Sequence, residues 1–196
     1  MRRPIMDTPD QLASLEGQQY LVLRPVVGVS SLYREVQDAA LARLGADTRH
    51  PHTEHVTLRG FDEPERRTEL AAVIRGWAAE QHPIDVTAEA IDAFPTPWQI
   101  LIVRLARTGS LISAYTSLTT ALQQTDFRRL DERGVEDWTF HLSVVYGKGL
   151  DAAAWQEFAE ASVSELPWQP SETIAEAEFV WYEDGAEHAE VIPLGA

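Results

Sequence analysis

His55-Val56-Thr57-Leu58 is echoed later in the chain by His141-Leu142-Ser143-Val144. Each tetrapeptide sets a histidine and a hydroxyl residue two apart, with aliphatic residues between. In an extended strand this spacing turns imidazole and hydroxyl to one face and the aliphatic side chains to the other. If the fold brings the two stretches together, two imidazoles and two hydroxyls surround one spot. That set suits acid–base chemistry on a phosphate ester.

Outward from the two motifs, the same order of elements appears twice. In the first half, Gln19 to Val27 reads as a strand ending near Pro25. A helix from Ser30 or Ser31 to about Leu44 follows, with Leu32, Val36, Ala40 and Leu44 on one face and Gly45 past its end. A polar segment from Ala46 to Glu54 delivers the chain to the first motif strand, whose next residues are Arg59-Gly60-Phe61. Asp62-Glu63-Pro64 starts a helix carrying Leu70, Val73, Ile74 and Trp77, His82-Pro83 ends it, and Ile84 to Phe94 alternates as a strand. Pro95-Thr96-Pro97 is a stiff break and the candidate boundary between halves.

After that break the order recurs. Gln99 to Arg107 is a buried strand, Ser110 caps a helix with Leu111, Tyr115, Leu118 and Leu122 inward, and Asp137 to Tyr146 holds the second motif. Asp151 opens a helix, and Thr173 to Tyr182 with His188 to Ile192 forms a hairpin around Asp184-Gly185. Residues 1–18, with Pro4, Pro9 and Gly17, read as a loosely packed lead-in. The expectation is an α+β fold in a single bilobal domain, 19–196. Its two pseudo-two-fold-related lobes, 19–94 and 98–196, carry antiparallel-rich sheets with helices outside and a central cleft where the histidines meet.

Composition narrows the function. At 196 residues and 44% hydrophobic, the chain suffices for one sizeable core. It has no cysteine, so disulfides, thiolate metal sites and a cysteine nucleophile are excluded. No run approaches the length of a membrane span, which makes a cytoplasmic enzyme or binding protein the default. The formal charge is −15, and only Arg133 and Lys148 are basic after Arg129. Gripping an extended nucleic acid needs a lysine and arginine surface, so a small nucleotide or an RNA end is the expected partner.

The paired H-x-[T/S]-x motifs, one in each half of a duplicated α+β chain, resemble those of the two-histidine (2H) phosphoesterases. That family includes the bacterial RNA 2′,3′-cyclic phosphodiesterases often named 2′-5′ RNA ligases. The resemblance implies metal-independent phosphodiester chemistry with no cofactor. One of His55 and His141 acts as general base and the other as general acid, while Thr57 and Ser143 hold the non-bridging phosphate oxygens. By strand alternation Arg59 continues the face of His55 and Thr57 and is a phosphate-binding candidate. The same alternation sets Tyr146 opposite His141, in the core. Tyr20, Trp98 and Phe61 are candidates for stacking on a base, and Arg104 and Lys148 are further cations.

Two rival readings stay open on the sequence. His50-Pro51-His52-Thr53-Glu54-His55 has the H-x-H-x-[D/E]-H form of a zinc hydrolase site, although a strand rather than a helix is expected to follow it. Alternatively, a bilobal module binds a nucleotide or phosphate without turning it over, a reading that the acidity favours.

Overall fold

The computed structural model describes residues 2–195. A short helix α1 (Pro9–Leu15) precedes β1 (Gln19–Leu23), α2 (Gly28–Leu44), β2 (Val56–Phe61), α3 (Arg67–Ala79) and β3 (Ile84–Phe94). Then come β4 (Ile100–Leu105), α4 (Gly109–Gln123), β5 (Arg129–Leu130), β6 (His141–Tyr146) and α5 (Ala152–Glu160). The last strands are β7 (Ser164–Glu165), β8 (Ser171–Ile174), β9 (Glu176–Glu183) and β10 (Ala186–Pro193). The fold is α+β, as expected, with two antiparallel sheets.

The first sheet runs β10-β9-β1-β2-β5, and the second runs β6-β4-β3-β7 with β8 also paired to β3. In each, a motif strand pairs with the strand that opens its half, β2 with β1 and β6 with β4. The third strand of each sheet comes from the other half. β3 crosses to pair with β4, and β9 returns to pair with β1. The sheets therefore do not divide at 94 and 98: the halves exchange a strand. Strand pairing between distant segments is a tertiary choice that periodicity along the chain does not encode.

Local signals explain most element ends. Thr108, rather than Ser110, caps α4, accepting from Leu111 N at 3.2 Å, and Asp151 caps α5. The N-terminus of α2 has no local side-chain cap; Glu172 of β8 accepts from Val27 N and Val29 N at 2.9 and 3.1 Å. Its buried apolar face is Val29, Tyr33, Val36 and Ala40; Val36 and Ala40 belong to the expected stripe, and Leu32 and Leu44 pack partly buried against the core. The expected strand from Thr173 to Tyr182 is split at Ala175, so β8 joins one sheet and β9 the other.

The core faces of both sheets and the helices share one apolar cluster, including Leu21, Leu58, Phe61, Val103, Leu142 and Trp155. Phe61 is fully buried there and has no route to a base. A smaller cluster lies on the opposite face of the first sheet, where Ile5 and Met6 pack on Val22, Val180 and Tyr182. The segment 1–18 is thus not a loose lead-in across its described part. Ile5 and Met6 are 2% and 7% exposed, and burying two such side chains contributes roughly 1.5–3 kcal/mol each. Among the described residues no helix is long and apolar enough to cross a membrane.

Candidate active site

Both motif histidines are held in the same way. His55 Nδ1 lies 3.2 Å from the Thr53 carbonyl and His141 Nδ1 lies 2.8 Å from the Thr139 carbonyl. A carbonyl oxygen only accepts, so Nδ1 carries the proton in each ring and Nε2 is left to take or give one. The repeated unit is therefore longer than the tetrapeptide: Thr53-x-His55-x-Thr57 and Thr139-x-His141-x-Ser143. The two threonines were legible as part of the repeat, but their function lies in a backbone oxygen and leaves no side-chain signal.

The strands also share a β-bulge at the same place. Along β2 the partner of β1 skips from Thr57 to Arg59, and along β6 the partner of β4 skips from Ser143 to Val145. One extra residue, Leu58 or Val144, reverses the alternation that follows it. Arg59 consequently turns away from Thr57 and into the core. It is 1% exposed, donates through Nη2 to Thr119 Oγ1 at 2.8 Å, and stacks its guanidinium 4.5 Å from the centre of the Tyr115 ring. The phosphate-binding expectation for Arg59 is overturned by that reversal.

The same reversal brings Tyr146 onto the face of His141 and Ser143, where strand alternation without a bulge excluded it. Its counterpart in the first motif is Gly60, and there the site-side space is taken by Tyr20 of the neighbouring strand. A Cβ at Gly60 would stand 3.0 Å from Tyr20 Cε1. Each motif thus has a tyrosine ring beside it, supplied from β1 in one sheet and from β6 in the other.

A cavity of about 140 Å³ is lined by His55, Thr57, Ser143, Tyr20, Tyr146 and Tyr182, with Ile5 and Met6 closing it. Residues of both motif strands therefore face one space. His141 opens beside it into a groove of about 250 Å³ with Phe94, Trp98, Ile100 and Trp138. The Phe94 ring meets His141 edge-on at 5.0 Å, and Trp98 is 49% exposed at the mouth. Of the stacking candidates, Trp98 lines this groove and Tyr20 lines the cavity, its ring edge-on to Tyr182.

Electrostatics follow from burial. Desolvation pushes His55 down to about 4, with Arg24 and His141 adding repulsion, against the Thr53 carbonyl and Glu187, which raise it. Desolvation likewise lowers His141, against the Thr139 carbonyl. Both imidazoles are thereby biased toward the neutral form in the free protein. Burial lifts the Tyr146 phenol above its ordinary range, partly offset by the Ser143 side chain and Arg49. The other cation candidates stand apart: Arg104 is tied to Glu89, Asp92 and Glu165, and Lys148 is exposed beyond β6.

The zinc-like stretch is split: the His50 and His52 rings pack 4.9 Å apart, but His55 faces elsewhere. His50 turns Nδ1 to the Thr48 carbonyl at 2.7 Å, His52 Nε2 lies 2.7 Å from Asp7, and both line a different cavity from His55. Among the described residues no group of three or more histidine, aspartate or glutamate side chains is arranged to hold a metal ion.

The model of the 2′-5′ RNA ligase superfamily matches residues 29–186. Solved structures with the same fold include TT0787 of Thermus thermophilus (TM-score 0.66, 14% identity, 90% of this chain and 97% of that one). E. coli LigT complexed with 3′-AMP aligns at TM-score 0.56 and 11% identity, over 90% of this chain and 95% of that one. Usb1 of Kluyveromyces marxianus aligns at TM-score 0.53 and 11% identity, over 91% and 99%. LigT has also been solved with ATP and with NADP+. No functionally curated protein matches this chain significantly in sequence.

Proposed function

The chain belongs to the 2′-5′ RNA ligase superfamily, which supports a phosphodiesterase-type activity, and we propose that it opens a 2′,3′-cyclic nucleotide phosphate or a related cyclic or 2′-5′ phosphodiester, using His55 and His141 as its acid–base pair without a metal. The observation that carries this reading is the common cavity: Thr57 and Ser143 face one space from two strands, and each has beside it a histidine with Nδ1 fixed on a carbonyl.

In this reading a phosphate sits between the two hydroxyls, which donate to its non-bridging oxygens as charge builds there. One neutral imidazole takes a proton through Nε2 from the attacking water. The other, protonated, gives a proton to the leaving ribose oxygen. Desolvation biases both histidines toward the neutral form, so the acid takes up its proton from solvent as the substrate binds, the substrate's negative charge favouring an imidazolium beside it. Tyr146 supports Ser143 from the same strand face. The complexes of LigT with 3′-AMP, ATP and NADP+ are in keeping with a nucleotide-sized ligand, as is the net charge of −15.

The test is a panel of 2′,3′-cyclic mononucleotides and 2′-5′ dinucleotides assayed with and without a chelator. Hydrolysis of a cyclic phosphate that persists in chelator is the expected result. No turnover of any member, with nucleotide binding retained, would favour the phosphate-binding module instead, and loss of turnover on chelation would remove the metal-free mechanism.

A further inference from the structure

Residues 2–16 form a strap over one side of the candidate site, and they lie outside the stretch matched by the superfamily model. The strap is anchored at both edges. On the first sheet, Ile5 N and Met6 N each donate to the Glu187 carboxylate at 2.9 Å, and Arg2 reaches Glu178 and Glu187 at 2.7 and 2.9 Å. On the loop leading to His55, His52 N donates to the Ile5 carbonyl at 2.7 Å, and Gln11 Nε2 donates to the His50 carbonyl at 2.7 Å. Between these anchors the Ile5 and Met6 side chains fill the face of the first sheet that carries Thr57, packing on Val22, Val180 and Tyr182.

The consequence is asymmetry in a site whose chemistry is symmetric. On the strap side, Ile5 and Met6 close the shared cavity of His55, Thr57 and Ser143 at about 140 Å³. The groove beside His141, at about 250 Å³, is the roomier of the two, so a bulky group has more space there than against the strap. On the other side, none of residues 2–16 lines the groove of Phe94, Trp98 and Trp138 beside His141.

We propose that Ile5 and Met6 are specificity-determining residues: they wall off the His55 side, so the site accepts a phosphate bearing one bulky organic group, placed in the aromatic groove beside His141, and rejects a phosphodiester with a nucleoside on both sides. This deepens the phosphodiesterase reading and rests on it for the identity of the phosphate site. The preferred class is a terminal or cyclic nucleotide phosphate, and the small group that shares the phosphate with it is water.

The experiment measures binding by calorimetry, so that it reads out independently of turnover. The probes are 2′-AMP, with one bulky group, and 2′-5′-linked diadenosine monophosphate, with two. They are titrated into the wild-type protein, the Ile5→Gly/Met6→Ala variant and the Glu187→Gln variant, each checked for fold by circular dichroism. The wild type is expected to prefer 2′-AMP by about tenfold or more, about 1.4 kcal/mol per tenfold. That preference is expected to shrink by about tenfold in the double variant and in the same direction in Glu187→Gln. Equal binding of both probes to the wild type, binding of neither, or an unchanged ratio in folded variants would overturn the proposal. A ratio that shifts as expected in a protein that hydrolyses no cyclic phosphate would uphold the wall and sink the phosphodiesterase reading, which separates the two claims. If the double variant does not fold, the ratio in Glu187→Gln against the wild type carries the test.

Discussion

β2 and β6 are built alike and used differently. His55 directly precedes β2 and His141 opens β6; each is anchored through Nδ1 to the carbonyl two residues back and followed by a hydroxyl two residues on, with a bulge directly after it. Beyond the bulge they part. β2 sends Arg59 into the core and leaves Gly60 under a tyrosine from the next strand, whereas β6 buries Val145 and offers Tyr146 to the site. The surroundings part as well, since the first sheet is covered by the strap and the second opens on an aromatic groove. In the proposed reading, pseudo-symmetry is kept where two groups act on one phosphate. It is abandoned where the rest of a ligand has to be told apart.

The strongest way to break that comparison is to remove one histidine at a time. His55→Ala and His141→Ala are each expected to lower kcat on a cyclic phosphate by about 10²–10⁴-fold, and the double variant to fall little further, since the two groups act in one transition state. Steady-state kinetics on folded protein checks this. Two very unequal losses would mean that the motifs are not functional equivalents.

Next come the hydroxyls. Thr57→Val and Ser143→Ala are expected to cost about 10²-fold in kcat each, the scale of losing one donor to a developing oxyanion. An effect on KM alone would reduce them to ground-state binding.

The bulges give a crossed prediction. Tyr146→Phe, on the site side of its bulge, is expected to lower kcat about tenfold with little change in melting temperature, as loss of one hydrogen-bonding hydroxyl near the phosphate. Arg59→Ala, on the core side, is expected to cost about 2–5 kcal/mol of stability through the cavity it leaves, with kcat/KM within about threefold while the protein is folded. A phosphate-binding role for Arg59 would produce the opposite pattern, so thermal melts beside kinetics on both variants decide it.

The smallest effect is a displacement of the pH profile. The proposed mechanism needs one imidazole protonated and one neutral, so kcat/KM is expected to rise and fall between the two macroscopic values of the pair. Burial holds both histidines below 6.5, His55 at about 4, so the bell for the free enzyme is centred on the acid side of 6.5. The same burial makes stability pH-dependent. Because His55 is depressed in the folded state, its contribution is complete above 6.5 and is lost as pH falls toward 4. An optimum above about pH 7 for kcat/KM would contradict a half-buried pair biased toward the neutral form.

Much of this molecule was legible in one dimension. Histidine and hydroxyl at i and i+2 in two apolar stretches marked two strands and the site face of each, because alternation is a local property of extended backbone. The recurrence of strand, helix, motif strand and helix around both pointed to the α+β class and to a cleft. Arg59 and Tyr146 were misplaced for one shared reason: a bulge is a register between two strands, and neither strand's own sequence announces it.

Which segments meet was settled in three dimensions. The halves exchange β3 and β9, and the first residues of the chain become a wall of the site because Glu187, 182 positions beyond Ile5, supplies the carboxylate for two of their backbone N–H groups. Ile5 and Met6 look like any apolar pair near a terminus until Val22, Val180 and Tyr182 present an uncovered sheet face to bury them. The catalytic candidates could be named from the order of residues alone, since their chemistry and spacing are local. What can approach them was set only by packing, because excluded volume belongs to the whole fold and to no residue in it.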